Sequence, residues 1–219
     1  MKNLFAVLIS EQHFLFDFNC FCFCKTKKYY YFVQRKLLKS MFKNIIFIGG
    51  IHGVGKSTIC KHICSELSME YLSASELLKW NGINQDSKNK KVKDISDNQN
   101  RLIVGLENII QKGKFYLLDG HYCLLNSNNE ILKVPIETFE QINSISFNLV
   151  LGNISEIKQR LEARDNKPYD YELLQHFQDE ELAYAKYLSK KFNVPLNIGE
   201  NNDYLNILES LCKTIKRTN

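Results

Sequence analysis

The sequence predicts a doubly wound α/β domain with a parallel sheet of about five strands. Three observations carry that expectation. A short apolar run ends in glycines and opens directly onto an amphipathic helix, strand-length and helix-length segments alternate after it, and an acid closes another buried strand.

The first unit is the clearest. Asn44-Ile45-Ile46-Phe47-Ile48 has strand length, ends at Gly49-Gly50, and is continuously apolar, as a parallel strand covered on both faces must be. Ile59, Cys60, Ile63, Cys64 and Leu67 then recur at three- and four-residue spacing, the buried stripe of a helix. A second strand is expected at 70–72 and a helix at 75–80, followed by a polar stretch at 81–100 in which 84–93 reads as a mobile connection. Leu102, Ile103, Leu106, Ile109 and Ile110 mark a third helix, stopped by Lys112-Gly113. Strands follow at 115–119 and 144–151, with a hairpin at 122–134 turning on Asn126-Ser127-Asn128-Asn129. Helical patterns at 155–164 and 169–190, a strand at 193–198 and a last helix carrying Tyr204, Leu208, Leu211 and Ile215 complete the alternation.

Composition excludes several classes. The chain has 219 residues, 44% hydrophobic and 24% charged, which is ordinary globular usage. Its longest charge-free run, at 141–155, carries three Asn and three Ser, too short and too polar to span a bilayer, so no membrane association is expected. Seven Lys/Arg and two Asp/Glu within residues 1–40 account for the whole net charge of +5. The remainder is formally neutral, which argues against direct nucleic-acid binding over a broad surface. Residues 1–40 also hold ten of the 25 Phe and Tyr, and Cys20, Cys22 and Cys24 lack the spacing of a structural zinc site. That segment is expected to be an aromatic, basic leader outside the fold, with the working domain at 41–219. The odd total of seven cysteines fits reduced thiols and a cytoplasmic location.

Gly50-Ile51-His52-Gly53-Val54-Gly55-Lys56-Ser57 matches G-x-x-x-x-G-K-[ST], the Walker A pattern, and lies between a strand and a helix. Glycines let successive N–H groups converge on a phosphate, and the helix N-terminus adds its positive end. The expected ATP contacts are Gly50, His52, Gly53, Val54, Gly55, Lys56, Ser57 and Thr58, with Lys56 on the β/γ phosphates and Ser57 ligating Mg²⁺. Asp119, at the carboxyl end of its strand, is the candidate Mg²⁺ ligand through water; the other reading has it capping the turn at Gly120. No glutamate stands beside it to activate water. Arg160 and Arg164, four apart on a helix, are candidates to neutralise the transferring phosphoryl, with Lys167 a subsidiary third, and the alternative is a solvated helix face.

In these motifs the chain resembles the adenylate kinases, most closely the archaeal-type members and related small P-loop nucleotide kinases. The resemblance runs over residues 44–198. It implies a nucleoside monophosphate kinase-like fold with a short lid near 164–168, Mg-ATP as phosphoryl donor and AMP as first acceptor. Tyr71-Leu72-Ser73-Ala74-Ser75-Glu76-Leu77-Leu78-Lys79 resembles the acceptor segment, Leu117-Leu118-Asp119-Gly120-His121 the archaeal-type Asp-x-His strand end, and 160–165 the lid. Ser73, Ser75, Lys79, Arg101 and His121 are the implied acceptor contacts. Lys79 stands where bacterial members have an arginine, and an ammonium cannot make the two-pronged phosphate contact of a guanidinium. Two alternatives stay open. One is a kinase of another small metabolite, a sugar acid or cofactor precursor, needing a base such as Asp119; the other is a slow ATP-hydrolysing switch or assembly factor with a protein or ribonucleoprotein partner.

Overall fold

The computed structural model describes residues 44–80, 95–126 and 128–218. The expected leader at 1–40, with its cysteines, and the expected connection at 84–93 lie outside the described residues. In chain order the elements are β1 Ile45–Gly49, α1 Lys56–Leu67, β2 Glu70–Ser73, α2 Ala74–Trp80, α3 Ile95–Ile109, β3 Tyr116–Asp119, β4 Cys123–Leu125, β5 Ile131–Lys133, α4 Ile136–Ile142, β6 Ser146–Leu151, α5 Ile154–Asp165, α6 Tyr171–Phe192, β7 Leu196–Glu200 and α7 Leu205–Thr218.

Five parallel strands form the main sheet among the described residues, in the order β2-β3-β1-β6-β7. β1, wholly buried, is central, so the chain winds outward from it in both directions, the doubly wound arrangement expected. Ile48 pairs with Asp119 and Asp119 with Ser73, which aligns the carboxyl ends of three strands at one edge. In open α/β sheets that edge is where ligands bind.

The core is aromatic at the centre of the sheet. The Phe47 ring meets Tyr122, Phe139 and Phe147 at centroid separations of 5.0, 5.3 and 6.3 Å, all edge-on, the geometry that sets positive ring edges against negative faces. Tyr122, fully buried, donates its hydroxyl to the Asn148 carbonyl at 3.0 Å. Asn148 is itself buried in β6; its Nδ2 donates to the Phe47 carbonyl and its Oδ1 accepts from Asn197 Nδ2 at 2.8 Å. Asn148 and Asn197 are register partners on β6 and β7.

The hairpin forms as β4–β5, with Asn126 Oδ1 accepting the N–H groups of Asn128 and Glu130 to close the turn. Three boundaries differ from expectation. α3 begins at Ile95, inside the stretch expected to be a polar connection. β7 starts at Leu196 because Asn193 takes a left-handed φ of 54° as the cap of α6, so the residues before Leu196 finish a helix rather than begin a strand. α4 was not expected; Pro135, with φ of −53°, leads the chain into it, and it buries Phe139 and Ile142.

Candidate functional site

The glycine loop between β1 and α1 is held by two buried anchors, Ile51 and Val54, both 0% exposed, so its backbone conformation is fixed from below. Gly50 has φ of +138°, and a Cβ there would lie 2.5 Å from the Val150 carbonyl. Gly53 has φ of +79°, and a Cβ would meet Leu161 of α5 at 2.8 Å. Both positions therefore demand glycine on conformational and on steric grounds. Gly55 caps α1 in a left-handed conformation, and the N–H of Thr58 bonds back to the Gly55 carbonyl at 3.2 Å, starting the helix whose N-terminus faces the loop. His52 lies half-buried within it.

Lys56 is buried, and its Nζ donates to the Gly50 carbonyl at 2.6 Å, crossing the mouth of the loop. Burial pulls its pKa below the ordinary lysine value, opposed by the negative charges of Asp119 and Glu181. Its Nζ stands 3.9 Å from Asp119 Oδ1. The Ser57 hydroxyl donates to Asp119 Oδ2 at 3.1 Å. Two hard oxygens, one hydroxyl and one carboxylate, thus converge beside the loop, a donor set whose chemistry fits Mg²⁺. Among the described residues there is no cluster of three or more His, Cys, Asp or Glu side chains that could hold a metal by themselves.

A third group shares the same carboxylate. Tyr71 on β2 donates its hydroxyl to Asp119 Oδ2 at 3.1 Å, and burial together with that negative charge pushes the phenol up to about 12. Ser73, at the end of β2, sits 2.9 Å from Ser75, oxygen to oxygen. Lys79 lies in α2, its side chain outside the described residues, and Arg101 lies half-buried in α3.

The two candidate arginines part company. Arg160 on α5 reaches the loop, its Nη1 lying 3.8 Å from where a Cβ on Gly55 would be, while its Nε donates to the Glu156 carbonyl at 3.2 Å and its Nη2 stands 3.7 Å from the Glu156 carboxylate. Arg164 is engaged by the adjacent Asp165, with Nε and Nη2 each 2.7 Å from a carboxylate oxygen. Tyr169 donates its hydroxyl to the same carboxylate, and these bonds hold Asp165 well below the usual carboxylate range. Lys167 lies 5.0 Å over the Tyr169 ring, so it too is occupied within the α5–α6 connection.

Glu181 is the residue that sequence reasoning missed. It is 0% exposed on α6, and its Oε1 accepts the N–H groups of Tyr122 and Cys123 at 2.9 and 3.0 Å. His121 Nδ1 is 3.7 Å from the same oxygen, and the His121 and His52 rings are 4.2 Å apart at the loop. Burial pushes the Glu181 carboxyl up to about 7, while the Cys123 N–H and the Lys56 charge pull it down. The signal was present: Leu174, Phe177, Glu181, Tyr184 and Leu188 follow one buried helical stripe, and an acid in such a stripe needs partners.

Buried glycine-loop lysine, helix N-terminus, serine and strand-end acid together make this a nucleotide-binding P-loop domain of the kinase-like type. The chain belongs to the AAA_17 family, described as an AAA domain, whose model matches residues 49–178, more than half its length. A gluconokinase from Sinorhizobium meliloti 1021 shares the fold, with 15% identity and a TM-score of 0.50 over 80% of this chain and 93% of that one. A sugar kinase from Janibacter sp. HTCC2649 is 13% identical with a TM-score of 0.46, over 80% and 95% respectively. No curated protein matches the sequence. No helix among the described residues is long and apolar enough to cross a membrane.

Proposed function

We propose that the protein transfers the γ-phosphoryl of Mg-ATP to a hydroxyl of a small polar metabolite, a sugar or sugar acid being the leading class. The observation that carries this reading is the Asp119 carboxylate shared between Ser57 on the donor side and Tyr71 on the acceptor side. A carboxylate so placed can take the proton that an acceptor hydroxyl loses, directly or through water, while the neighbouring hydroxyls of Tyr71, Ser73 and Ser75 match the hydrogen-bonding of a polyol. A phosphate dianion as acceptor asks instead for fixed positive charge. The kinase name of the gluconokinase structure is consistent with that class.

The protein's own groups chiefly position and neutralise. Lys56 and the loop amides bind the β and γ phosphates, and Arg160 neutralises the transferring group. Mg²⁺, when bound at Ser57 and Asp119, supplies charge neutralisation across the phosphates.

A nucleoside monophosphate kinase, AMP first, is the second reading. It is favoured by the His52–His121 pair at the loop, two imidazoles able to donate to an acceptor phosphate. The test is incubation of the chain with Mg-ATP and, separately, D-gluconate, other sugar acids and sugars, AMP, GMP, CMP, UMP and dTMP, with products resolved by ion exchange. A phosphorylated metabolite supports the main reading. Rapid nucleoside diphosphate formation replaces it with the second, and slow hydrolysis indifferent to every acceptor leaves the switch or assembly factor.

A further inference from the structure

We propose that Glu181 is a positioning residue that sets the orientation and tautomer of His121, so that the imidazole presents Nε2 as a hydrogen-bond acceptor to the group receiving the phosphoryl. The inference rests on the phosphotransferase reading for its purpose and on geometry for its content.

Glu181 reaches two parts of the site at once. Its Oε1 takes the N–H groups of Tyr122 and Cys123, the residues that follow Asp119-Gly120-His121, and so fixes the chain just beyond the strand-end acid. Its Oε2 lies beneath the start of the glycine loop, 3.2 Å from where a Cβ on Gly49 would be, and the Gly50 N–H adds to the pull that favours the carboxylate. A staple for two amides would be served equally by glutamine, whose Oε1 accepts the same two N–H groups without a buried charge. The buried Glu181 charge is balanced in part by the Lys56 ammonium, and the carboxylate Oε1 also stands 3.7 Å from His121 Nδ1. An anionic neighbour at Nδ1 favours the proton there and leaves the lone pair on Nε2. The His52 ring at 4.2 Å holds the same imidazole against the phosphate loop.

Glutamine at 181 removes the charge while its Oε1 stays on the two backbone donors, so Nδ1 loses its anionic neighbour and keeps only a neutral carbonyl oxygen beside it. The experiment is ¹⁵N NMR of histidine-labelled full-length protein at pH 8, with His121 assigned by its loss in His121→Asn. In the wild type, His121 is expected as the Nδ1–H tautomer. In Glu181→Gln it is expected to move toward Nε2–H, with the two ring nitrogens exchanging their shifts. With the acceptor identified above, kcat should fall about 10- to 100-fold while KM for ATP stays within about twofold, the range for loss of an orienting partner. A wild-type Nε2–H tautomer, or identical tautomers in both proteins, overturns the proposal. If Glu181→Gln does not fold, the wild-type spectrum alone decides it. A failed acceptor screen with the expected spectra would reject the phosphotransferase reading and leave the positioning of His121 intact.

Discussion

The proposed donor and acceptor sides of the site are built from different materials. On the donor side the phosphate loop stands on Ile51 and Val54, its lysine is buried, and glycines are imposed by sterics as well as by φ. On the acceptor side β2 is only half-buried, Ser75 is exposed, and the contacts run through side-chain hydroxyls. Recognition by a fixed backbone allows little variation, since each amide must point at the same phosphate. Recognition by exposed side chains can be respecified one residue at a time. Asp119 is the hinge between the two regimes, because one oxygen serves both.

The contrast can be broken most severely at Lys56. Lys56→Ala should lower turnover by about 10³-fold or more, since it removes preorganised positive charge from the transferring phosphate. Circular dichroism is the control, because the change also removes the cation that faces Asp119 and Glu181 and should lower the melting temperature without altering the folded spectrum. A variant with the full rate would end the donor-side account.

The lid offers a sharper internal control. Arg160→Ala is expected to cost about 10²-fold in kcat/KM, and Arg164→Ala about 10-fold or less, because Asp165 already holds the second guanidinium. Equal losses would mean that Arg164 leaves Asp165 when ATP binds.

Glu181 provides a test in stability rather than rate. Its folded pKa of about 7 stands above the ordinary 4.5, so between those values the native state binds more protons than the unfolded chain. Native stability contributed at this site therefore declines as pH rises from about 4.5 to about 7, and is level above that. Glutamine does not titrate. Thermal melts should show Glu181→Gln gaining on the wild type across that window, by at most a few kcal/mol, and a constant difference would contradict the raised pKa.

The smallest effect belongs to the acceptor side. Tyr71→Phe removes one hydroxyl from Asp119 and should raise the KM of the acceptor by about 3- to 10-fold, the worth of one hydrogen bond, with KM for ATP unchanged. A larger change in KM for ATP would place Tyr71 on the donor side.

What was legible beforehand follows the same division. β1, the loop and α1 are local in sequence, so an apolar run, glycines and a helical stripe announce them together. The strand-end acid and the hairpin were equally plain, since a buried strand and an Asn-rich turn carry their own chemistry. Glu181 and Tyr71 were harder, because their roles arise only when α6 is brought against Tyr122, 59 residues away along the chain, and β2 against Asp119 of β3, 48 residues away. The engagement of Arg164 was missed for a different reason. Helical spacing puts Arg160 and Arg164 on one face, but the rotamer that sends one guanidinium to its neighbour's carboxylate is chosen by the turn that follows.

The amide pair of Asn148, buried in β6, and Asn197, half-buried in β7, bears on how the sheet is assembled. A parallel strand made only of Val, Ile and Leu can slide by two residues against its neighbour and still look apolar to it. Here a slip of β7 along β6 would leave the buried Asn148 Oδ1 without its donor, at a cost of about 1–3 kcal/mol. The pair acts as a proofreader of strand alignment, penalising misassembled chains during folding. Replacing Asn197 alone with valine, which leaves the Asn148–Phe47 bond in place, should keep the native fold while slowing its refolding and raising the yield of aggregates.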